Sequence, residues 1–404
     1  MPKSEKLVAR KEIHETLRLV NFCIRRIGLS FIDDIPKTFY AKFSRFLSLV
    51  VSPSFLFWML VGHVLGTNSK SLTSNKSINL INTTIILGFG KLITIWYKRH
   101  IFRQLVIELA DIWPVALSDK EAAAIKRHSL SALKHRQILY AFWNVLGVWL
   151  YNLTPIAILI YHKLSGMPSP LGYVWQMAYP FDKTKPVNHE LVYIFETCSG
   201  IISVCCMLGS DLFFMTMASH ISMLLRILQV KIRHLIVLDN NEYTRDSVTS
   251  YDCYQEIVAI VQVHQRLINY INDLEDAFCV VNLINVLLSS VNICCVVFAI
   301  VFLEPWMAMS NKFFLGAALT QMGIVCWYAD DIYRASSGVA DAVYESGWYR
   351  CNVRCRRALL IMFGDRVLAM TIYVGQLAVD GSEKPKIGLS GVSWERPMSS
   401  SGLI

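Results

Sequence analysis

Six long apolar stretches constrain the fold of this chain more than any other feature of its sequence. A helix that spans a bilayer needs about 20 mostly apolar residues, and six segments reach that length: 43–65, 78–97, 138–161, 191–218, 278–303 and 312–332. A seventh segment, 358–375, is weaker because Gly364, Asp365 and Arg366 interrupt it. With 54% hydrophobic residues, the chain is too apolar to cover itself with polar surface in water. We therefore predict an all-α integral membrane protein with seven transmembrane helices.

Lysine and arginine residues are distributed unevenly between the two sides of these predicted helices. The segment before the first helix and the loops on the same side contain 27 of them, whereas the opposite loops contain six. Because loops rich in lysine and arginine stay in the cytoplasm, we expect a cytoplasmic N-terminus. The chain then divides into a cytoplasmic segment 1–42, a membrane domain 43–375 and a polar tail 376–404. The net charge of +9 indicates orientation rather than binding of nucleic acid.

The segment between the fourth and fifth predicted spans has a helical periodicity of its own. Apolar residues recur at spacings of three and four through most of 220–277, which is typical of amphipathic helices. We expect long helical extensions that pack together in a cytoplasmic domain. Helices lying in the plane of the lipid headgroups are the alternative, and acidic residues such as Glu256 and Asp273 disfavour it.

Asp211 is an acidic residue inside the fourth predicted span. A carboxylate in lipid is costly and usually faces protein or water. We favour a satisfied structural hydrogen bond for this side chain, and a gating or inter-helix contact is the alternative.

Ordered motifs occur in two blocks of the sequence. In 326–362, CWYADDIYRASSGVADAVYESGWYRCNVRCRRALLIM, an aromatic and acidic cluster precedes Ala-x-Tyr-x-x-x-Trp, a basic turn and an Ala-Leu-Leu-Ile-Met run. In 173–196, YVWQMAYPFDKTKPVNHELVYIFE, Tyr-Pro-Phe-Asp precedes the fourth span. These blocks resemble the insect odorant-receptor family, as do Asp211 and His220, which fall where the family's fourth span commonly carries an Asp and a His. The resemblance extends from about Leu17 to Gly375.

The resemblance implies a function. Members of this family are odorant-gated, non-selective cation channels, in which an odour-tuned subunit assembles with the odorant receptor coreceptor as a tetramer. It implies a multi-pass protein of the plasma membrane of olfactory sensory neuron dendrites, in contact with membrane lipid and without a cofactor or enzymatic activity. A small volatile ligand would bind in the outer half of the bundle, since a mostly apolar molecule needs an enclosed aromatic cavity with few polar groups. The candidate lining residues are Thr84, Trp149, Tyr151, Asn152, Tyr193, Thr197 and Phe314.

Two aromatic residues of the first block are candidates for a contact between subunits. Tyr344 and Trp348 are four residues apart, so on a helix they share one face and can anchor a buried contact just below the membrane. Ordinary core aromatics are an equally good interpretation.

The tail departs from the family pattern. Family members continue the last span into an apolar helix that lines the pore, whereas 376–404 contains Pro385, Pro397 and several glycines and serines and has no apolar run long enough to cross. Such a composition is typical of a disordered segment. A truncated or mis-spliced transcript is our preferred interpretation, and we expect a chain without its own pore wall to conduct poorly.

Other classes of membrane protein fit the sequence less well. A G-protein-coupled receptor would have an outside N-terminus and an outer disulfide, but all 11 cysteines lie within spans or on the predicted cytoplasmic side. A gustatory receptor shares the architecture, yet this chain matches the sequence signature of its last span only in part, at Thr371, Tyr373 and Gln376. A membrane enzyme or transporter would need a cluster of acidic or histidine residues within the membrane, and we expect Asp211 to be nearly alone there.

Overall fold

A computed structural model describes residues 3–27, 90–166, 185–238, 247–302 and 309–364, together with isolated positions between them. All regular secondary structure within these ranges is helical. The first predicted span and the polar tail lie outside the described ranges, as do the ends of the second and seventh spans that include Thr84 and Gly375. The all-helical prediction is therefore confirmed for the part of the chain that the structure describes.

Eight α-helices and one short 3₁₀ helix make up the described fold. They are α1 (Lys3–Thr16), α2 (Arg18–Arg26), α3 (Arg99–Ile112), α4 (Lys120–Leu164), α5 (Pro186–Leu238), α6 (Ser247–Phe302), α7 (Met309–Glu345), the 3₁₀ helix (Trp348–Arg350) and α8 (Val353–Gly364). Residues 90–97 are also helical and lead into α3. Asp119 begins α4 as a helix cap, since its carboxylate accepts a hydrogen bond from the main-chain amide of Glu121 at 2.9 Å.

The longest helices exceed what a bilayer requires. Helices α5 and α6 contain 53 and 56 residues, or roughly 80 Å at a rise of about 1.5 Å per residue, against a hydrocarbon core of about 30 Å. By length and composition, Val187–His234 and Tyr254–Phe298 can each cross a membrane. Helix α4 bends between Leu150 and Asn152, and it is a third candidate if the parts before and after the bend form one span.

Exposed apolar side chains form a band around one part of these helices. The band runs from Ile138 to Leu164 on α4, from Val187 to Ile201 on α5 and from Val280 to Val301 on α6. Beyond it, α4 exposes Lys134 and His135, and α6 exposes Asp273 and Asp276. An apolar surface of this extent is suited to lipid rather than to water, so we refer to it as the lipid-facing band.

The helical extensions beyond this band pack against one another. Ile221, Leu225 and Ile232 of α5 belong to the same buried cluster as Leu267 and Leu274 of α6. Because apolar side chains of both α5 and α6 are buried in this cluster, the two extensions pack into a shared core and do not lie singly on a membrane surface. The prediction that the extensions pack together is confirmed for the described residues.

The N-terminal helices run antiparallel to α5. Near the end of α2, Ile24 packs so closely on Gly209 that a Cβ atom at that glycine would lie 3.0 Å from the isoleucine Cγ1 atom. Eight residues earlier, Thr16 Oγ1 lies 3.0 Å from His220 Nε2. Glu5, near the start of α1, borders a groove whose walls include Ile227. The pair α1–α2 therefore follows α5 from Gly209, eight residues beyond the end of the lipid-facing band on that helix, into the packed extension.

Polar side chains on one face of α5 hold α7 in register. Asp331 accepts hydrogen bonds from Ser222 and from the guanidinium of Arg226. Further along the same face, Gln229 donates to the main-chain carbonyl of Ala335 at 2.6 Å. The spacing of three and four residues along α5 places these donors on one stripe, so the sliding of α7 along α5 would break all of them.

The structure contradicts the expected shared face of Tyr344 and Trp348. Helix α7 ends at Glu345, and Gly347 has a φ of 72°, a left-handed conformation that glycine favours and that terminates a helix. Trp348 then lies in the 3₁₀ helix, partly buried against the main core, while 72% of Tyr344 is exposed. The two rings do not share one helical face, because this glycine turns the chain between them.

Candidate functional site

Three of the predicted ligand-binding residues come together where the C-terminal half of α4 meets the start of α5. The hydroxyl of Tyr193 donates a hydrogen bond to the main-chain carbonyl of Asn152 at 2.5 Å. Thr197 lies one helical turn after Tyr193, on the same face of α5. The buried side-chain oxygen Oδ1 of Asn152 has no hydrogen-bond partner within the described residues, whereas the hydroxyl of Thr197 interacts with the Tyr193 side chain. We call these residues the Tyr193 cluster.

The other predicted lining residues either have different surroundings or lie outside what the structure describes. Trp149 belongs to the lipid-facing band, with 59% of its surface exposed. Phe314 is half-buried near the start of α7. Tyr151 lies in α4, but its side chain is outside what the structure describes, and Thr84 lies outside the described residues altogether.

Two residues near these positions were missed from the sequence. Trp143 on α4 packs against α7, where its ring centroid lies 6.1 Å from that of Phe313 and its ring atoms approach the open side of Gly316. Glu196 is fully buried immediately before Thr197. A glutamate inside an otherwise apolar stretch is a candidate site residue that the sequence alone could have indicated, because a carboxylate in lipid is costly.

A buried ion pair lies deeper in the bundle. Lys91, in the helical segment 90–97, places its ammonium nitrogen 2.6 Å from a carboxylate oxygen of Asp211 on α5, and the two side chains are only 1% and 6% exposed. The partner of Asp211 is thus a lysine and not a further acidic or histidine residue. Lys91 was not singled out from the sequence because it was counted as part of an apolar stretch and not as a charge that needs a partner.

Further helices contribute to this ion pair. Asp211 also accepts hydrogen bonds from the Tyr140 hydroxyl of α4 at 2.6 Å and from the Gln321 amide of α7 at 2.8 Å. The same Gln321 amide nitrogen lies 3.1 Å from the Asn285 side-chain oxygen of α6. Segment 90–97 and helices α4 to α7 thus converge on one carboxylate. We call these five residues the Asp211 network, and it makes Asp211 both a satisfied hydrogen-bond acceptor and an inter-helix contact.

The two groups of residues lie on the same pair of helices. Along α4, Tyr140 precedes Asn152 by 12 residues, and along α5, Thr197 precedes Asp211 by 14 residues. At about 1.5 Å per residue, the separation is roughly 18 to 21 Å. A ligand at the Tyr193 cluster would therefore touch two helices that also meet in the Asp211 network. The described residues contain no group of histidine, cysteine, aspartate and glutamate side chains that could hold a metal ion.

Comparison with known protein families decides what kind of protein has this arrangement. Residues 78–378, well over half of the chain, match the sequence model of the family described as 7tm Odorant receptor. The chain belongs to this family. The resemblance in the sequence motifs is thereby confirmed, and the protein is a membrane receptor and not an enzyme. Family membership also favours an odorant receptor over the G-protein-coupled and gustatory alternatives.

Individual relatives agree with the family assignment. Odorant receptor 85c of Drosophila melanogaster is 26% identical over 285 residues, which cover 68% of this chain and 69% of the relative. The fold is similar to the structure of the insect olfactory receptor OR5 from Machilis hrabei, with a TM-score of 0.71, 15% identity and coverage of 91% of both chains. The structure of that receptor in complex with eugenol matches with a TM-score of 0.73, 14% identity and the same 91% coverage. At this level of identity, the structural match establishes the odorant-receptor fold.

Proposed function

We propose that this odorant receptor is the odour-tuned subunit of a ligand-gated, non-selective cation channel that it forms with the odorant receptor coreceptor. It would act in the plasma membrane of olfactory sensory neuron dendrites, with seven spans and a cytoplasmic N-terminus. The family assignment supports the receptor role. The distribution of lysine and arginine supports the orientation, and the exposure of Tyr344 on α7 leaves its ring available for contact with another subunit.

The observation that carries the ligand-binding part of the proposal is the Tyr193 cluster. A buried polar atom without a partner costs about 1 to 3 kcal/mol, so a site that retains such an oxygen on Asn152, beside the hydroxyls of Tyr193 and Thr197, is suited to a ligand that donates a hydrogen bond. Earlier along α4, about 13 Å from Asn152, Trp143 forms an aromatic contact with Phe313 of α7. A small, mostly apolar molecule with one hydroxyl fits this chemistry, and eugenol, which the related receptor binds, belongs to the same chemical class.

Gating would follow from a difference in ligand affinity between two conformations. A ligand shifts a closed-to-open equilibrium only to the extent that it binds the open state more tightly. Contacts at the Tyr193 cluster would reposition α4 relative to α5, and both helices are tied to α7 by the Asp211 network and by Asp331. Helix α7 leads towards the last predicted span, so a shift of α7 is a direct route from ligand to pore.

Co-expression with the coreceptor tests the proposed function. In cells that lack other receptors, an odorant panel should evoke a cation current that persists when G-protein signalling is blocked. The recording should be repeated with residues 376–404 replaced by the pore helix of another family member. Current that disappears when G-protein signalling is blocked, or an absence of current in both versions, would contradict the proposal.

Thr197→Val provides a test of the ligand site. The substitution preserves the shape of the side chain and removes its hydroxyl. For an activating odorant that has a hydroxyl group, we expect the half-maximal concentration to rise roughly three- to tenfold, since one neutral hydrogen bond contributes about 1 kcal/mol. A hydrocarbon analogue of that odorant should be unaffected.

The matched control is Thr94→Val. The hydroxyl of Thr94 donates to the Gly90 main-chain carbonyl of its own helix at 2.9 Å, so the same chemical change is made away from the Tyr193 cluster. Equal shifts for both variants, or for the hydroxyl and hydrocarbon odorants at Thr197→Val, would exclude a specific role for Thr197.

A further inference from the structure

Helix α2 is amphipathic, and its outward face is both basic and aromatic. Its buried side faces α5 and is formed by Val20, Cys23 and Ile24. The exposed residues of α2 are separated by four, three and one positions, so they lie on one face of the helix, opposite the buried side. They are Arg18, Phe22, Arg25 and Arg26.

The position of α2 along the bundle coincides with the edge of the lipid-facing band. The main-chain carbonyl of Thr16 accepts a hydrogen bond from Gln137 at 3.1 Å, and Ile138, where the band begins on α4, is the next residue. From this level α2 continues towards Gly209. Its nine residues rise about 13 Å, enough to cross a headgroup layer and reach the ends of the acyl chains.

The chemistry of the exposed face matches an anionic lipid. Helix α2 contains three arginines and no acidic residue, so the helix itself contributes only positive charge to this face. Guanidinium binds phosphate and carboxylate oxygens through paired hydrogen bonds. Phe22 is 56% exposed, and the guanidinium carbon of Arg26 lies 5.0 Å from its ring centroid. An aromatic ring at the acyl boundary with long basic side chains reaching towards the headgroups is the pattern of an interfacial helix.

We propose that the face formed by Arg18, Phe22, Arg25 and Arg26 is a binding site for an anionic phospholipid of the phosphatidylserine type. With the N-terminus in the cytoplasm, this face meets the inner leaflet, which is the anionic one. The lipid would fix α2 at the membrane boundary and, through Ile24 and Thr16, hold the N-terminal helices against α5. A second protein subunit is a poorer occupant, because it would have to bury three guanidinium groups, which is costly unless each of them meets a carboxylate.

Lipid binding to the purified full-length chain tests this site. Stepwise dissociation constants for added phosphatidylserine and phosphatidylcholine would be measured by native mass spectrometry. The triple variant Arg18→Gln, Arg25→Gln and Arg26→Gln should bind phosphatidylserine roughly tenfold or more weakly, given the contribution of each basic residue at an anionic surface. Its affinity for phosphatidylcholine should not change. The corresponding triple lysine variant, which retains the charge, should keep most of the binding and shows that the fold tolerates substitution.

The control makes the same change in charge at a distance from the lipid-facing band. Arg10→Gln, Lys11→Gln and Arg127→Gln replace three exposed basic residues on α1 and α4, and phosphatidylserine affinity should remain at the wild-type level. An equal loss in this control, an equal loss in the lysine variant, or full binding by the glutamine variant would overturn the proposal. So would a glutamine variant that retains lipid binding but no longer co-purifies with the coreceptor, because the face would then contact a subunit.

Discussion

Asp211→Asn is expected to destabilise the receptor by about 3 to 5 kcal/mol, the usual cost of removing one partner from a buried ion pair. The substitution leaves the ammonium of Lys91 only 1% exposed and without a counter-charge. It also replaces an acceptor oxygen with a donor where Tyr140 and Gln321 both donate. The measurement is the thermal midpoint of the detergent-solubilised, fluorescently tagged chain, together with its expression at the cell surface.

The double variant Lys91→Met with Asp211→Asn shows whether the instability of Asp211→Asn comes from leaving the charge of Lys91 unpaired. It removes both charges and keeps an acceptor oxygen for Tyr140, so we expect it to recover at least half of the lost stability, since buried ion pairs are often replaceable by neutral groups. A matched control is Asp111→Asn, which breaks the exposed Lys6–Asp111 ion pair, where the nitrogen–oxygen distance is a similar 2.7 Å. Exposed pairs contribute about 1 kcal/mol or less. A wild-type midpoint for Asp211→Asn, or a double variant as unstable as the single one, would contradict this account of the network.

The sequence predicted the parts of this fold that depend on local pattern. Apolar runs and three-to-four spacing are properties of neighbouring residues, so the helices around Ile138–Tyr161 and the packed extensions of α5 and α6 were accessible from the sequence. The motif around Asp331 identified the family for the same reason. What that aspartate binds was not predicted, because Ser222 and Arg226 lie on a different helix more than 100 residues earlier.

The residues that were missed depend on contacts between distant segments. Lys91 became visible as a partner of Asp211 only once α5 was placed beside segment 90–97, across a separation of 120 residues. The shared face of Tyr344 and Trp348 failed at Gly347, since helical spacing applies only while the helix continues. In the Tyr193 cluster, sequence similarity selected Asn152, Tyr193 and Thr197, but the unpaired state of the Asn152 side-chain oxygen is a property of the packed structure.

Trp113→Ala is the second substitution for which we expect a large loss, of about 3 to 5 kcal/mol, as is usual when a buried tryptophan is truncated. Trp113 is 1% exposed, and its indole nitrogen donates to Glu12 of α1 at 2.7 Å. Its ring meets His220 of α5 edge-on at 4.9 Å between centroids, and the ammonium of Lys126 lies 5.4 Å from its ring centroid. One side chain therefore joins α1, α4 and α5. The expected result is a lower thermal midpoint and faster proteolysis of the N-terminal helix.

Two further substitutions show whether this loss comes from packing at Trp113. Trp113→Phe retains most of the buried area and removes the hydrogen bond to Glu12, which keeps Lys126 as a partner at 2.6 Å. We expect an intermediate loss of about 1.5 to 3 kcal/mol, the range for a hydrogen bond to a charged group. Trp327→Ala removes a tryptophan that is 61% exposed and lies under the guanidinium of Arg136, so it should cost about 1 kcal/mol or less. If all three variants lost the same stability, tryptophan content alone would explain the effect, and the N-terminal helices would not depend on the contacts of Trp113.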